Sequence, residues 1–232
     1  MAGDGALAER LARVEAGIAD AVREAGRDPA DVTTIVVTKF HPATLVRELA
    51  GLGVVDVGEN RQQEASEKSA ELADLELRWH FIGQLQSKKA RLVSGFATAV
   101  HSLDRLSLVT ALGSALASRD PRTTLDGFIQ VNLTDDTARG GVRPGDLDAF
   151  AESVLATDGI RLRGLMAVAP LDVEPRAAFE AVRLLGERLR TVAPEATALS
   201  MGMSGDYREA VLEGATHLRI GTAITGNRPL AG

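Results

Sequence analysis

Apolar positions along this chain change period again and again, from helical spacing to strict alternation and back. Near the start, Leu7, Leu11, Val14, Ile18 and Val22 recur every three or four residues in "ALAERLARVEAGIADAVREAG", with charges between them. That spacing predicts an amphipathic helix that docks on the body of the protein. The next run, "TTIVVTKFHP" (33–42), alternates instead. Ile35 and Val37 share a face with Lys39 while Val36 and Thr38 point the other way, so a buried strand is predicted that ends on a lysine. Further strands are predicted at 54–57, 78–82, 97–101, 126–132, 162–168, 197–201 and 217–220. Helical patterns fall between them, near 43–51, 61–76, 84–94, 104–118, 144–156, 174–191 and 206–213. Asp104 after "HSL", Pro144 at a first-turn position and Asp206 after "SG" serve as start signals.

Eight strands alternating with helices, behind one leading helix, is the count for an α/β chain folded as a (β/α)8 TIM barrel with an additional N-terminal helix. An open doubly wound sheet would usually need fewer strands at this length. No composition break or low-complexity linker divides the chain, so residues 1–232 are expected to form a single domain. No G-x-G-x-x-G follows the first strand, which leaves a dinucleotide site without support.

Composition narrows the function. Hydrophobic residues make up 45% of the chain and charged residues 25%, the balance of an ordinary soluble globular protein. The net charge of −6 argues against a nucleic-acid partner, and Lys88-Lys89-Ala90-Arg91 reads as the solvated side of a helix. The absence of cysteine removes disulfides, thiolate chemistry and cysteine zinc sites, and fits a reducing compartment. No apolar stretch is long enough to span a bilayer, and the charged N-terminal region does not read as a signal peptide. A cytoplasmic protein with no membrane contact is expected.

In a barrel the C-terminal strand ends meet at one mouth, where the chemistry is placed. Those ends carry Lys39, "GEN" (58–60), His80, "HSLD" (101–104), Asn132, Met166 with Pro170, "LSMGMSGD" (199–206) and "RIGTA" (219–223). Barrels often bind phosphate with the loops after strands 7 and 8. Here Gly202, Ser204 and Gly205 precede a helix and Gly221 and Thr222 follow the last strand, supplying flexible backbone N–H groups and hydroxyls. Arg219, inside an apolar strand, needs an acceptor: an acidic neighbour such as Glu59, or a ligand lone pair. Lys39 either reaches solvent or, desolvated opposite an anion site, is a nucleophilic amine suited to Schiff-base formation. Anion cradle, amine and buried arginine together describe a site for pyridoxal 5′-phosphate, and equally a class I aldolase acting on a sugar phosphate. His80 and His101 read as hydrogen-bonded wall residues and His41 as a loop residue at the rim. No pair has metal-ligand spacing, so no metal is expected.

The segments "VVTKFHP", "GENRQQE", "WHFIGQLQSKK", "HSLDR", "GLMAVAP", "LSMGMSGDYREAVLEGATHLRIGTAI" and "GNR" occur in the order seen in the pyridoxal phosphate homeostasis protein family, and the chain resembles that family over nearly its whole length. The family in turn resembles the barrel domain of alanine racemase, the fold type III group, but stands as a single domain. The resemblance implies that Lys39 holds pyridoxal 5′-phosphate as an internal aldimine. It places Ser204, Gly221 and Thr222 on the phosphate and Arg219 at the pyridine nitrogen, with Asn60, His80, Ser200 and Met201 lining the ring pocket. Thr225 stands where relatives commonly carry an aromatic residue, and Arg139 where a lysine is usual.

The function implied is storage and delivery of the cofactor, with the apo forms of pyridoxal-phosphate enzymes as partners and no turnover. An arginine at the pyridine nitrogen makes the ring a weaker electron sink than a carboxylate would. A two-base racemase needs a second proton donor, and Tyr207 is the chain's one tyrosine, at a helix start. A fold type III racemase or decarboxylase is the alternative. A monomer is expected.

Overall fold

The computed structural model describes residues 3–119, 124–134, 136 and 139–227. Arg228 of "GNR" and three positions of the 131–142 segment lie outside the described residues. The leading helix α1 (Gly3–Glu24) is followed by alternating strands and helices. The strands are β1 (Thr33–Val37), β2 (Asp56–Glu59), β3 (Arg78–Phe81), β4 (Ala99–Leu103), β5 (Leu125–Gln130), β6 (Ile160–Met166), β7 (Ala198–Ser200) and β8 (His217–Ile220). The helices are α2 (Ala43–Gly51), α3 (Gln62–Glu71), α4 (Ala90–Val93), α5 (Leu106–Ala117), α6 (Leu147–Leu155), α7 (Pro175–Val192), α8 (Tyr207–Leu212) and α9 (Thr222–Thr225). All pairings between neighbouring strands are parallel, and β1 closes the ring against β8 with Thr33 opposite His217 and Ile35 opposite Arg219. The expected (β/α)8 barrel is the architecture. No described helix is long and apolar enough to cross a membrane.

Two apolar layers hold the ring. Outward-facing strand residues such as Val36, Val100, Ile129, Leu165 and Leu218 pack against the helices in one continuous core. All five apolar positions of the α1 pattern are buried in that core. Arg10 Nε donates to Ile224 O at 2.7 Å and Arg27 Nη1 to Ala215 O at 2.8 Å. Helix α1 is thereby tied to the segments around α8 and α9, its packing partners.

The inner layer needs close approach of strands. Gly164 on β6 has φ +152°, and a Cβ there would stand 1.8 Å from Ala198 O on β7. Only glycine allows that contact. Beside it the β5–β6 register slips by one residue after Gly127, which turns Phe128 inward against Ala99, Met166 and Ala198.

Several boundaries differ from the sequence pattern. Strands β2 and β4 each begin two residues later than predicted, because the ladder sets Asp56 opposite Arg78 and His80 opposite Ala99. His101 therefore lies mid-strand and not at a strand end. The predicted helix at 84–94 reduces to a 3-10 turn at Ser87–Lys89 and the short α4. Helix α9 was not predicted at all; four residues are too few to show a period. His41, expected at the rim, is buried.

Candidate functional site

At the C-terminal mouth a cavity of about 420 Å³ opens between the ends of β1 and β8. It is lined by Val37, Lys39, Asn60, Ile82, Val168, Met203, Ser204, Gly205, Arg219, Gly221 and Thr222. Lys39 is presented by an unusual turn. Phe40 has φ +69°, the one positive value among the described non-glycine residues. A bulky residue takes up that conformation only when its surroundings impose it. Its N–H donates to Glu64 Oε1 at 2.6 Å, and the His41 N–H to Thr38 O at 3.1 Å.

Behind that turn sits a buried cluster. Lys68 Nζ donates to Glu59 Oε1 (2.6 Å), Glu64 Oε1 (2.7 Å) and Thr38 O (2.9 Å), while Thr38 Oγ1 donates to Glu59 Oε1 (2.7 Å). Burial pushes the Glu59 carboxyl above its ordinary range, against the pull of the Lys68 ammonium. Glu59 is thus the partner of Lys68. The Glu59–Arg219 pair considered from sequence does not form, because Glu59 turns away from the barrel axis toward α3.

The opposite wall is built by the loops after β7 and β8. Gly202, at φ +92°, lets the chain turn back from β7, and Asp206 Oδ1 accepts from Met203 N at 2.6 Å. The Ser204 hydroxyl then comes within 3.3 Å of the Gly221 N–H and 3.4 Å of the Ala223 N–H. Two backbone donors and a hydroxyl converge where α9 starts, with Thr222 beside them. Both hydrogen bonds are long, so the donors are only loosely satisfied by the protein itself.

Arg219 closes the floor and is 5% exposed. Nη1 donates to Ser200 O at 2.7 Å and Ser200 Oγ at 2.8 Å, and Nη2 to Ala167 O at 2.8 Å. Burial lowers its pKa to about 10, partly offset by Asp206. Every direct partner is a neutral oxygen.

Of the residues singled out from sequence, the cavity brings together Lys39, Asn60, Ser204, Gly205, Arg219, Gly221 and Thr222. His80, Ser200 and Met201 are not in its lining. Ser200 ends β7 and Met201 follows it, and the two face opposite ways. Ser200 turns into the barrel under Arg219, and Met201 turns out into the core beneath the helices. His80 lies deeper in the barrel, on Asp56 and His101. Ile82, Val168 and Met203 were missed. Met203 stood inside the quoted "LSMGMSGD", Ile82 inside "WHFIGQLQSKK" and Val168 inside "GLMAVAP", but an apolar side chain at a strand end does not by its type mark a binding wall.

Residues 11–229 match the family model described as alanine racemase, N-terminal domain. The chain is 44% identical over 222 residues to the pyridoxal phosphate homeostasis protein of Pseudomonas aeruginosa, covering 96% of both. It is 37% identical over 228 residues to that of Escherichia coli, covering 96% of this chain and 97% of the relative. The chain belongs to the pyridoxal phosphate homeostasis protein family. Among solved structures, PipY of Synechococcus elongatus with pyridoxal phosphate bound superposes with a TM-score of 0.82 at 37% identity, over 95% of this chain and 100% of that one. Alanine racemase of Corynebacterium glutamicum superposes with a TM-score of 0.71 at 14% identity, over 99% of this chain and 62% of that one, and so shares the fold with this family.

Proposed function

We propose that this protein binds pyridoxal 5′-phosphate in the cavity at the barrel mouth and stores and delivers it to the apo forms of pyridoxal-phosphate enzymes. One observation carries the reading: an amine, a loosely satisfied set of anion donors and a buried arginine with only neutral partners open into one cavity. The residues fit the group. Asn60 Oδ1, on the cavity wall, is buried without a hydrogen-bond partner among the described residues, a state that a bound ligand relieves.

When bound, the cofactor supplies an aldehyde that condenses with an amine as a Schiff base, and a ring that takes up electron density. Lys39 is the residue we assign to that covalent bond, since it is the lysine in the cavity lining. Ser204, Thr222 and the N–H groups of Gly221 and Ala223 hold the phosphate. Arg219 would face the pyridine nitrogen and offer it N–H donors, which would leave that nitrogen its lone pair.

The chain's own groups favour a carrier over an enzyme. An arginine on the nitrogen weakens the ring as an electron sink, a feature shared with the racemases the chain resembles, so the missing second proton donor is the more telling point. The single tyrosine, Tyr207, directs its hydroxyl at Gly17 of α1, away from the cavity. The relatives are named as homeostasis proteins and not as enzymes. The same reading takes residues 1–232 as one cofactor-binding domain, monomeric and cytoplasmic, with no nucleic-acid or membrane partner.

The test is spectroscopic and chemical. Purified protein supplied with pyridoxal phosphate turns yellow, borohydride fixes a pyridoxyl group on Lys39, and Lys39→Ala stays folded but takes no label. Label on another lysine overturns the assignment. Exchange of amino-acid α-hydrogen for deuterium at enzyme-like rates would favour the racemase alternative.

A further inference from the structure

Below the cavity the barrel interior holds a file of polar side chains where a barrel of this type usually packs branched aliphatics. Ser200 Oγ lies 2.8 Å from Arg219 Nη1 and 2.8 Å from His101 Nδ1. His101 Nε2 is 3.0 Å from His80 Nδ1, and His80 Nε2 is 2.9 Å from Asp56 Oδ1. At the far end of the barrel the exposed Arg78 donates twice to the Asp56 carboxylate, at 2.8 and 2.5 Å.

With both imidazoles neutral, the direction of every proton in this file follows from its two ends. A guanidinium only donates, so Ser200 Oγ accepts from Arg219 and turns its own proton to His101 Nδ1. His101 must then carry its proton on Nε2 and donate to His80 Nδ1. His80 in turn carries its proton on Nε2 and donates to Asp56, which only accepts when ionised. The opposite tautomers would leave the Ser200 proton without an acceptor in the file and turn a bare ring nitrogen on the carboxylate. All four bonds therefore point the same way, from the cavity floor to the carboxylate, and each polarises the next.

This arrangement meets a need. Arg219 is a buried cation whose direct partners are three neutral oxygens; the Asp206 charge offsets its burial only in part, and an incompletely compensated buried charge is costly. We propose that Asp56, His80, His101 and Ser200 are positioning residues that orient Arg219 and stabilise its charge through a carboxylate too distant to touch it. Asp56 is a second, remote counter-ion of Arg219 beside Asp206, and the two histidines carry its influence along the file. The inference rests on the reading that Arg219 faces the bound cofactor, and it goes further by assigning the barrel axis to that contact. Two properties of the file agree with it. Burial, helped by the neighbouring Arg219 guanidinium, pushes the His101 imidazole well below its ordinary range, which keeps it neutral. Burial alone would raise the Asp56 carboxyl, but the hydrogen bonds from His80 and Arg78 outweigh it and keep it ionised.

Nitrogen-15 spectra of the histidine side chains in the ligand-free protein at pH 7 test the tautomers directly. The expected result is a neutral ring with the proton on Nε2 for both His80 and His101; an Nδ1–H tautomer or a charged ring at His101 overturns the proposal. The second arm compares two variants loaded with pyridoxal phosphate. His101 stacks on Phe128 at 4.2 Å and 12°, so His101→Phe keeps an aromatic ring there while cutting the file. His101→Gln restores it, its carbonyl accepting from Ser200 and its amide donating to His80. His101→Phe should release the cofactor about 10-fold faster and shift its visible band, whereas His101→Gln should stay within about 2-fold of the parent protein. Equal losses in both variants, or none in His101→Phe, overturn the positioning role. Should the parent protein fail to bind the cofactor at all, the functional reading falls, and the tautomer measurement still decides the file.

Discussion

Moderate acid should weaken this fold, because histidines that the unfolded chain protonates readily are kept neutral inside the barrel. His217, on β8, has its pKa lowered to about 4, first by burial and then by the charge of Arg163, with Asp56 and Asp126 acting the other way. Its unfolded value is 6.5. A group whose folded pKa is depressed in this way is unprotonated in the native state across that window while the unfolded chain takes up a proton. Stability therefore falls as pH falls from 6.5 toward 4, at up to ~1.4 kcal/mol per pH unit. The whole window is worth about 3 kcal/mol from His217 alone. His101 adds to the loss with the same sign. Glu59 and Asp104, whose carboxyls burial pushes up, oppose it: their contribution is present at low pH and is lost as pH rises through their folded values.

A difference measurement removes that opposition. Urea unfolding can be followed through Trp79, the chain's single tryptophan, which is buried edge-on to Phe96 with ring centroids 6.5 Å apart. His217→Gln loses ring packing on Phe128 at every pH, so its absolute stability decides nothing. The informative quantity is the gap between parent and variant, which should narrow by about 2 kcal/mol between pH 6.5 and pH 5. Parallel stability profiles over that range would show that His217 is not held neutral, and the account of the barrel interior would fail with it.

Three other perturbations probe the site and its frame. Ser204→Ala and Thr222→Ala should each weaken cofactor retention by about 1–3 kcal/mol, the cost of losing a hydrogen bond to a charged group; unchanged retention in both, measured by dialysis and absorbance, places the phosphate elsewhere. Lys68→Met removes the cation from Glu59 and Glu64 and should destabilise the fold by about 3–5 kcal/mol in urea titrations at pH 7; a loss below about 1 kcal/mol would mean the cluster does not brace the Lys39 turn. Gly164→Ala forces a Cβ to 1.8 Å from Ala198 O, and should cost more than about 4 kcal/mol or abolish folding. A cooperative thermal transition near that of the parent protein would refute the close approach of β6 and β7.

What the chain announces by itself is local. Helix and strand periods are carried by residues a few positions apart, so α1, the alternation of elements and the eight-strand count could be read directly. The same holds for Lys39 at the end of β1 and for the glycines and hydroxyls after β7 and β8, whose residue types carry their chemistry wherever the loops fall. Depth in the barrel is a different matter. Whether a polar strand residue reaches the mouth, the axis or the helical layer depends on the register between strands far apart in sequence. A two-residue shift at β4 took His101 from a strand end to the axis, a one-residue step sent Ser200 and Met201 to opposite sides of the wall, and His80 became a neighbour of Asp56 and not of the cavity. The pairing of Glu59 with Lys68, and so the answer to what Arg219 contacts, appears only once α3 has packed behind β2. Ring closure set those positions, because only the closed ladder assigns each residue a height along the barrel.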